Sequence, residues 1–430
     1  MIHRTQDLAL ADDRIAPVEV GRRSKVVRRE ESVSPRLLVV VAVCCLVSLG
    51  AFADPAVPLT FRKHVVDAAF PAISAVAIDV DGDGLLDIVA AGGPSGARSP
   101  WCNLIVWYRA PDWQKRSVAV LDQPDDILLH LEAVDFQRSG GRIGGAPEVA
   151  SVSGGKVRWH RYDRETGSWT SRVVVADAPY AHGCAAGDID GDGYMDLLVP
   201  SQPTASRGGP DARRGVLWAR NPGAGAWTEA WSQRYLADRF EIDGWLHYVR
   251  LADLNGDGRL DALLGSQDKA GWFGFWLQPV DLAKEWTFHR LEGVPRGGTN
   301  LDAADLNGDG LLDLVGTLGH STGLLWFPAP AYTATLLDNT LKSPHCLALA
   351  DFDGDGRTDV FSCGYESREA ALFLNRGGGA FEKQVLDADQ CAYDAKVTDL
   401  NANGLPDILV AGQLSTNLVW YENLGLPAAR

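Results

Sequence analysis

The chain has 430 residues, with 40 Lys+Arg against 56 Asp+Glu and a formal net charge of −16. That acidic balance argues against a nucleic-acid partner, which needs a basic footprint. Seven cysteines without a CxxC spacing exclude a thiolate metal site of the zinc-finger kind.

In chain order the first element is an export signal, 1–53. Arg22, Arg23, Lys25, Arg28, Arg29 and Arg36 precede an apolar run from Leu37 to Phe52, and "AFAD" (51–54) supplies small residues ahead of a cut before Asp54. The run is shorter than the roughly 18 residues of a spanning helix, so no membrane span is expected in the mature chain. Localisation is then periplasmic, extracellular or cell-surface. The mature part, 54–430, keeps 377 residues, 32 basic and 50 acidic, and five cysteines. Their odd number and irregular spacing do not describe a disulfide framework. Cys346 and Cys363 flank one loop and could face each other across a hairpin; free buried thiols are expected for most.

The mature chain repeats itself. "DVDGDGLLD" (79–87) returns in close copies beginning at Asp188, Asp253, Asp305, Asp351 and Asp399, with a broken copy at Asp135. The intervals run from 46 to 65 residues, the length of a four-stranded propeller blade. An apolar run such as "AISAVAID" (72–79) leads into each loop and another such as "DIVAAG" (87–92) leads out, a β-hairpin. A third strand carries an aromatic ("IVWY" 105–108, "LLWF" 324–327, "LVWY" 418–421), and a fourth follows a short turn ("FEKQVLDAD" 381–389). The mature chain opens on a fourth-strand segment, "LTFRKHVVD" (59–67), and ends on a third-strand one, "NLVWYENLG" (417–425). The expected fold is therefore all-β: a seven-bladed β-propeller over 54–430, of four-stranded blades, closed by the N-terminal strand pairing in the last blade. Closure leaves few unpaired strand edges, and a monomer is expected.

Numbered from its first Asp, each loop offers side-chain oxygens at positions 1, 3, 5 and 9, a backbone carbonyl at 7, and Gly at 6 for the turn. The first copy supplies Asp79, Asp81, Asp83, Leu85 and Asp87, and the second Asp188, Asp190, Asp192, Tyr194 and Asp196. Next come Asp253, Asn255, Asp257, Arg259 and Asp261, then Asp305, Asn307, Asp309, Leu311 and Asp313. The last two are Asp351, Asp353, Asp355, Arg357 and Asp359, and Asp399, Asn401, Asn403, Leu405 and Asp407. Hard oxygen donors in a flexible loop suit Ca²⁺. An EF-hand needs Glu at position 12 and flanking helices, and neither is present. Asp, Asn and Gly also make ordinary turns, but six copies agreeing at four positions outweigh that reading. The copy at 399 keeps two carboxylates and should bind weakest, so five or six structural Ca²⁺ sites are expected. The loops hold 20 carboxylates, so most of the acidity is ligand charge. A metal enclosed at equivalent places around a ring serves the fold rather than one substrate.

These residues resemble the FG-GAP/VCBS-like repeat family, exported calcium-loop propellers related to the integrin α-subunit head. The resemblance spans nearly all of 57–425 and rests on the six loops and the "WYENLG" (420–425) strand. It implies Ca²⁺ ligands at the loop positions above. The Phe-Gly and Gly-Ala-Pro signatures of integrin repeats are largely replaced by forms such as "AVAID" and "VRLAD", which argues against an integrin-like adhesive role. Similar propellers occur in polysaccharide lyases, sugar dehydratases and lectins, so the resemblance does not choose a function.

Residues outside the repeat pattern point to a working face opposite the Asp loops. Trp101, Trp245 and Trp272 fall in or beside connections there and could stack on sugar rings or cover a loop. His182, His247 and His345 each lie six residues before the first Asp of their loops, so they point toward one end of the channel. They could ligate a transition metal, act as a base, or hydrogen-bond a neighbouring blade. Arg207, Arg213 and Arg214 add positive charge in "QPTASRGGPDARRG" (202–215), which fits an anionic ligand or ordinary solvated loop charge. The expected function is a binding module for a glycan or surface protein. The alternative is a sugar-active lyase or dehydratase using the three histidines.

Overall fold

The computed structural model describes residues 58–93, 103–120, 128–137, 147–201, 215–237, 245–267 and 271–426. The expected export signal lies outside them, as do Trp101, Arg207, Arg213 and Arg214. Described strands form seven four-stranded antiparallel sheets, six of them consecutive in sequence. Blades 1 to 6 span 72–120, 128–175, 185–235, 245–290, 301–342 and 348–387. Blade 7 takes three strands from 394–423 and its outermost strand, Phe61–Asp67, from the start of the propeller. That strand pairs antiparallel with Asn417–Asn423, Phe61 opposite Asn423 and Val65 opposite Val419.

Sequence pattern follows position in the blade. Second strands such as Asp87–Gly92, Asp196–Ser201 and Asp407–Gly412 are buried at every residue, because neighbouring blades cover both faces. Such strands read as unbroken apolar runs. Outermost strands such as Gln114–Val120 are mostly exposed and carry the charge. The core is seven hydrophobic clusters, each shared by two consecutive blades. Val80 and Trp107 of blade 1 meet Leu131 and Val149 of blade 2, and Leu409 and Trp420 of blade 7 meet Ala75 and Ile88 of blade 1. Clusters at every remaining junction complete the ring.

A polar clasp accompanies each of several junctions. Asn375, the last residue of the third strand of blade 6, donates its Nδ2 hydrogen to the carbonyl of Leu306 in the blade 5 loop at 2.7 Å. Asn423 does the same to Phe352 of blade 6 at 2.8 Å, and Asn221 to Phe136 of blade 2 at 2.9 Å. In blade 4 the longer Gln278 reaches Ile189 of blade 3 at 2.7 Å. The Asn of "WYEN" thus fastens one blade to the previous one, satisfying a buried carbonyl that would otherwise be costly.

One tryptophan differs from the sequence expectation. Trp272 is 2% exposed and opens the third strand of blade 4, where it packs on Trp276 and Phe288. It is a core residue, not a ligand-facing one. In blade 3 Trp231 stands directly before the fourth strand and is buried, whereas Trp227 lies in the turn ahead of it.

Candidate functional site

The Asp loops join first and second strands at one end of the ring, and their geometry is nearly invariant. In all six copies the backbone N–H at position 6 donates to Oδ2 of the first Asp, at 2.7 to 3.1 Å. Position 4 has a positive φ throughout, with Gly in five copies and Ala402 (φ 57°) in the sixth. A Cβ there costs roughly 1 kcal/mol. Ala402→Gly is therefore expected to raise stability by about 1 kcal/mol; a denaturation midpoint that falls would contradict this backbone account.

Position 9 has a structural task of its own. Asp359 is fully buried; its Oδ2 accepts the N–H of Phe352 at 2.9 Å and its Oδ1 that of Asn375 at 2.7 Å. Asp87, Asp261, Asp313 and Asp407 repeat both bonds, so this carboxylate ties the loop to the end of the third strand. In the broken copy Glu148 takes over, accepting the Phe136 N–H at 2.9 Å. Burial raises these carboxyls, helped by neighbouring loop carboxylates: Asp196 and Asp359 to about 7, Asp261 and Asp407 to about 6. Each oxygen keeps a further lone pair, so the bonds do not prevent coordination.

Carboxylates of three copies converge within 4.8 Å of one another: Asp79, Asp81 and Asp87; Asp188, Asp190 and Asp192; Asp351, Asp353 and Asp355. They belong to the copies with four carboxylates in sequence. Arg109 pairs with Asp81 and Asp83, Arg220 with Asp190 and Asp192, and Arg376 with Asp353. Charge of this density calls for a cation, and the donor set fits a hard divalent one.

Midway along the channel the inner strands place a charged layer. Glu132, Arg250, Asp302 and Lys396 each lie three residues before their loops, around a cavity of about 220 Å³. Lys396 pairs with Glu132 at 3.5 Å, and Arg250 with Asp302 at 3.8 Å. Asp394 accepts the Ser74 hydroxyl at 2.6 Å. Burial would raise Glu132, but Lys396 and His130 hold it at about 2. Opposite charges from four blades are matched here, which makes the layer a brace for the ring.

The far end of the channel gathers imidazoles into a crown. His182 and His345 stand just ahead of the inner strands of blades 3 and 6, and His247 lies within that of blade 4. Ring centroids are 4.8 Å apart for His182 and His247 and 6.1 Å for His247 and His345. The structure thus brings the three predicted histidines together. A fourth, His320, comes from the turn between second and third strands of blade 5, 5.3 Å from His247 and 4.8 Å from His345. Tyr393 stacks on His345 at 5.0 Å, with Tyr365 against both. At the rim Trp245 and Tyr180, 41% and 42% exposed, meet edge to face at 5.0 Å beside His182.

Burial lowers His182, His247 and His345, and repulsion from neighbouring imidazoles adds to it. His345 falls to about 3, His247 goes well below its usual value, and His182 also drops despite its bond to the Tyr180 carbonyl. The rings are neutral at ordinary pH. A general base works best near the operating pH, so a ring near 3 is a poor base but a good neutral hydrogen-bonding partner or metal ligand. A separate cleft of about 600 Å³, lined by Phe275, His289, Pro330 and Tyr332, lies among the outer strands of blades 4 and 5, remote from this chemistry.

Fold and loops together define a seven-bladed β-propeller with a repeated Asp loop. The FG-GAP-like repeat family matches residues 145–199 and 351–410, which contain the loop copies beginning at Asp188, Asp351 and Asp399. Among solved structures the chain is similar to the V. cholerae biofilm matrix protein Bap1, at 11% identity over 86% of this chain and 92% of that chain, with a TM-score of 0.49. No curated protein matches the chain. Among the described residues no helix is long and apolar enough to cross a membrane.

Proposed function

We propose that this chain is an exported propeller, stabilised by Ca²⁺ in five or six Asp loops, that binds a glycan through the crown at the opposite end of its channel. The observation that carries the reading is the exposed pair Trp245 and Tyr180 set beside four imidazoles. Aromatic faces stack on the apolar faces of sugar rings, and neutral imidazoles pair with their hydroxyls. The sequence of the connection 202–215, with Arg207, Arg213 and Arg214, favours an anionic glycan such as one containing uronate. The chain acts as a monomer, since ring closure leaves few strand edges to pair.

The test is retention of the Ca²⁺-loaded chain on a panel of uronate-rich polysaccharides, with the product analysed for shortening. Retention without cleavage is expected, and Trp245→Ala should weaken it about tenfold, in line with the loss of one aromatic anchor. Shortened or unsaturated products would replace this reading with the lyase one. A surface protein becomes the ligand to seek if no polysaccharide is retained.

A further inference from the structure

We infer that the crown is also a binding site for one divalent transition-metal ion of the zinc class, held by imidazoles from blades 3 to 6. The inference shares the crown with the glycan reading but does not rest on it.

Three features carry it. The first is separation. Imidazoles sharing one ion through metal–nitrogen bonds of about 2.0–2.1 Å place their ring centroids about 5 Å apart. Successive neighbours in the crown stand 4.8, 5.3 and 4.8 Å apart, from His182 through His247 and His320 to His345.

The second is the state of the ring nitrogens. His182 Nδ1 donates its hydrogen to the Tyr180 carbonyl at 2.9 Å, which fixes the tautomer and leaves Nε2 with its lone pair. His247 Nε2 donates to Gln267 Oε1 at 2.6 Å, which leaves the Nδ1 lone pair. That Nδ1 is buried without a hydrogen-bond partner, and so is Nδ1 of His345, in residues only 1% and 5% exposed. Two orphaned buried nitrogens in one cluster are costly unless something accepts their lone pairs. A metal ion does so, and the bonds to Gln267 and the Tyr180 carbonyl are the outer contacts that orient metal-bound imidazoles.

The third is charge state. Imidazoles ligate only when neutral, and burial together with their neighbours keeps His247 and His345 neutral. All-nitrogen donors favour zinc, copper or nickel over calcium, so this site and the Asp loops do not compete for one ion. Among the described residues the donor triads within 4.8 Å are carboxylates, so an ion in the crown would turn the imidazole nitrogens toward one another.

The experiment uses the untagged chain at saturating Ca²⁺ and without glycan. Zn²⁺ is titrated by calorimetry and counted by elemental analysis, and Co²⁺ is added as a spectroscopic probe. The expected result is one Zn²⁺ per chain above the Ca²⁺ complement, with visible Co²⁺ absorption of a low-coordinate nitrogen site. His247→Gln should weaken binding at least about tenfold. His320→Ala, in an exposed turn residue, should weaken it as well while leaving the Ca²⁺-dependent melt unchanged. No Zn²⁺ bound at saturating Ca²⁺ would overturn the site, and so would Zn²⁺ binding that both variants leave intact. Glycan retention is measured separately, so either reading can fail alone.

Discussion

Chelating Ca²⁺ from the purified chain at pH 7.5 is expected to lower its melting temperature by roughly 10–20 °C, and by much less at pH 5. A site occupied at 100 times its Kd stabilises the fold by about 2.7 kcal/mol. Three carboxylate triads alone then contribute about 8 kcal/mol, which a chain of this size reads as about 10 °C. The pH dependence comes from the position-9 carboxyls. Their unfolded value is near 3.8, whereas burial holds Asp196 and Asp359 at about 7 and Asp261 and Asp407 at about 6 in the metal-free fold. Between those values the folded chain binds more protons than the unfolded one, so metal-free stability falls as pH rises from about 4 to 7. Calcium reverses that loss above pH 7 and has little to hold at pH 5. Melts recorded with and without chelator at both pH values check this; an unchanged melt at pH 7.5 would remove the stabilising role of the loops.

The second large effect is expected from Asp359→Ala, a loss of about 3–5 kcal/mol that persists after chelation. The substitution leaves the buried N–H groups of Phe352 and Asn375 without their acceptors, and each orphaned donor costs about 1–3 kcal/mol. Asp355 lies at the exposed side of the same loop and bonds the N–H of Arg357. Asp355→Ala should therefore matter mainly while Ca²⁺ is present. Denaturation of both variants with and without chelator separates staple from ligand. Equal losses for the two in chelator would contradict the staple role of position 9.

The propeller was legible because its repeat is written in strand-borne residues at fixed offsets. The loop carboxylates, the following apolar run and the third-strand aromatic recur in every full copy, and the order of the terminal segments pointed to the strand Phe61–Asp67 that the structure places in blade 7. The same offsets placed His182, His247 and His345 together. His320 was not legible, since it sits in a turn with no repeat position and reaches the crown only when blade 5 closes beside blades 4 and 6. Trp272 misled for the converse reason. It opens the third strand of blade 4 instead of lying in the connection before it, and Gly274 leaves room for Phe288, which packs on Trp272. The clasp from Asn375 to Leu306 joins residues 69 apart on different blades, and no local pattern announces it. Only the recurrent Asn closing the third strand, in "WYEN" and "LFLN", hinted at a shared task.

The central claim is a division of labour: Asp loops hold the ring, and the opposite crown meets the ligand. Backbone hydrogen exchange on the Ca²⁺-saturated chain, with and without a retained uronate polysaccharide, tests it most directly. The account predicts added protection in segments carrying Tyr180, His182, Trp245, His247 and His320, with the six Asp loops unchanged. Protection that falls on the loops and spares the crown would contradict it.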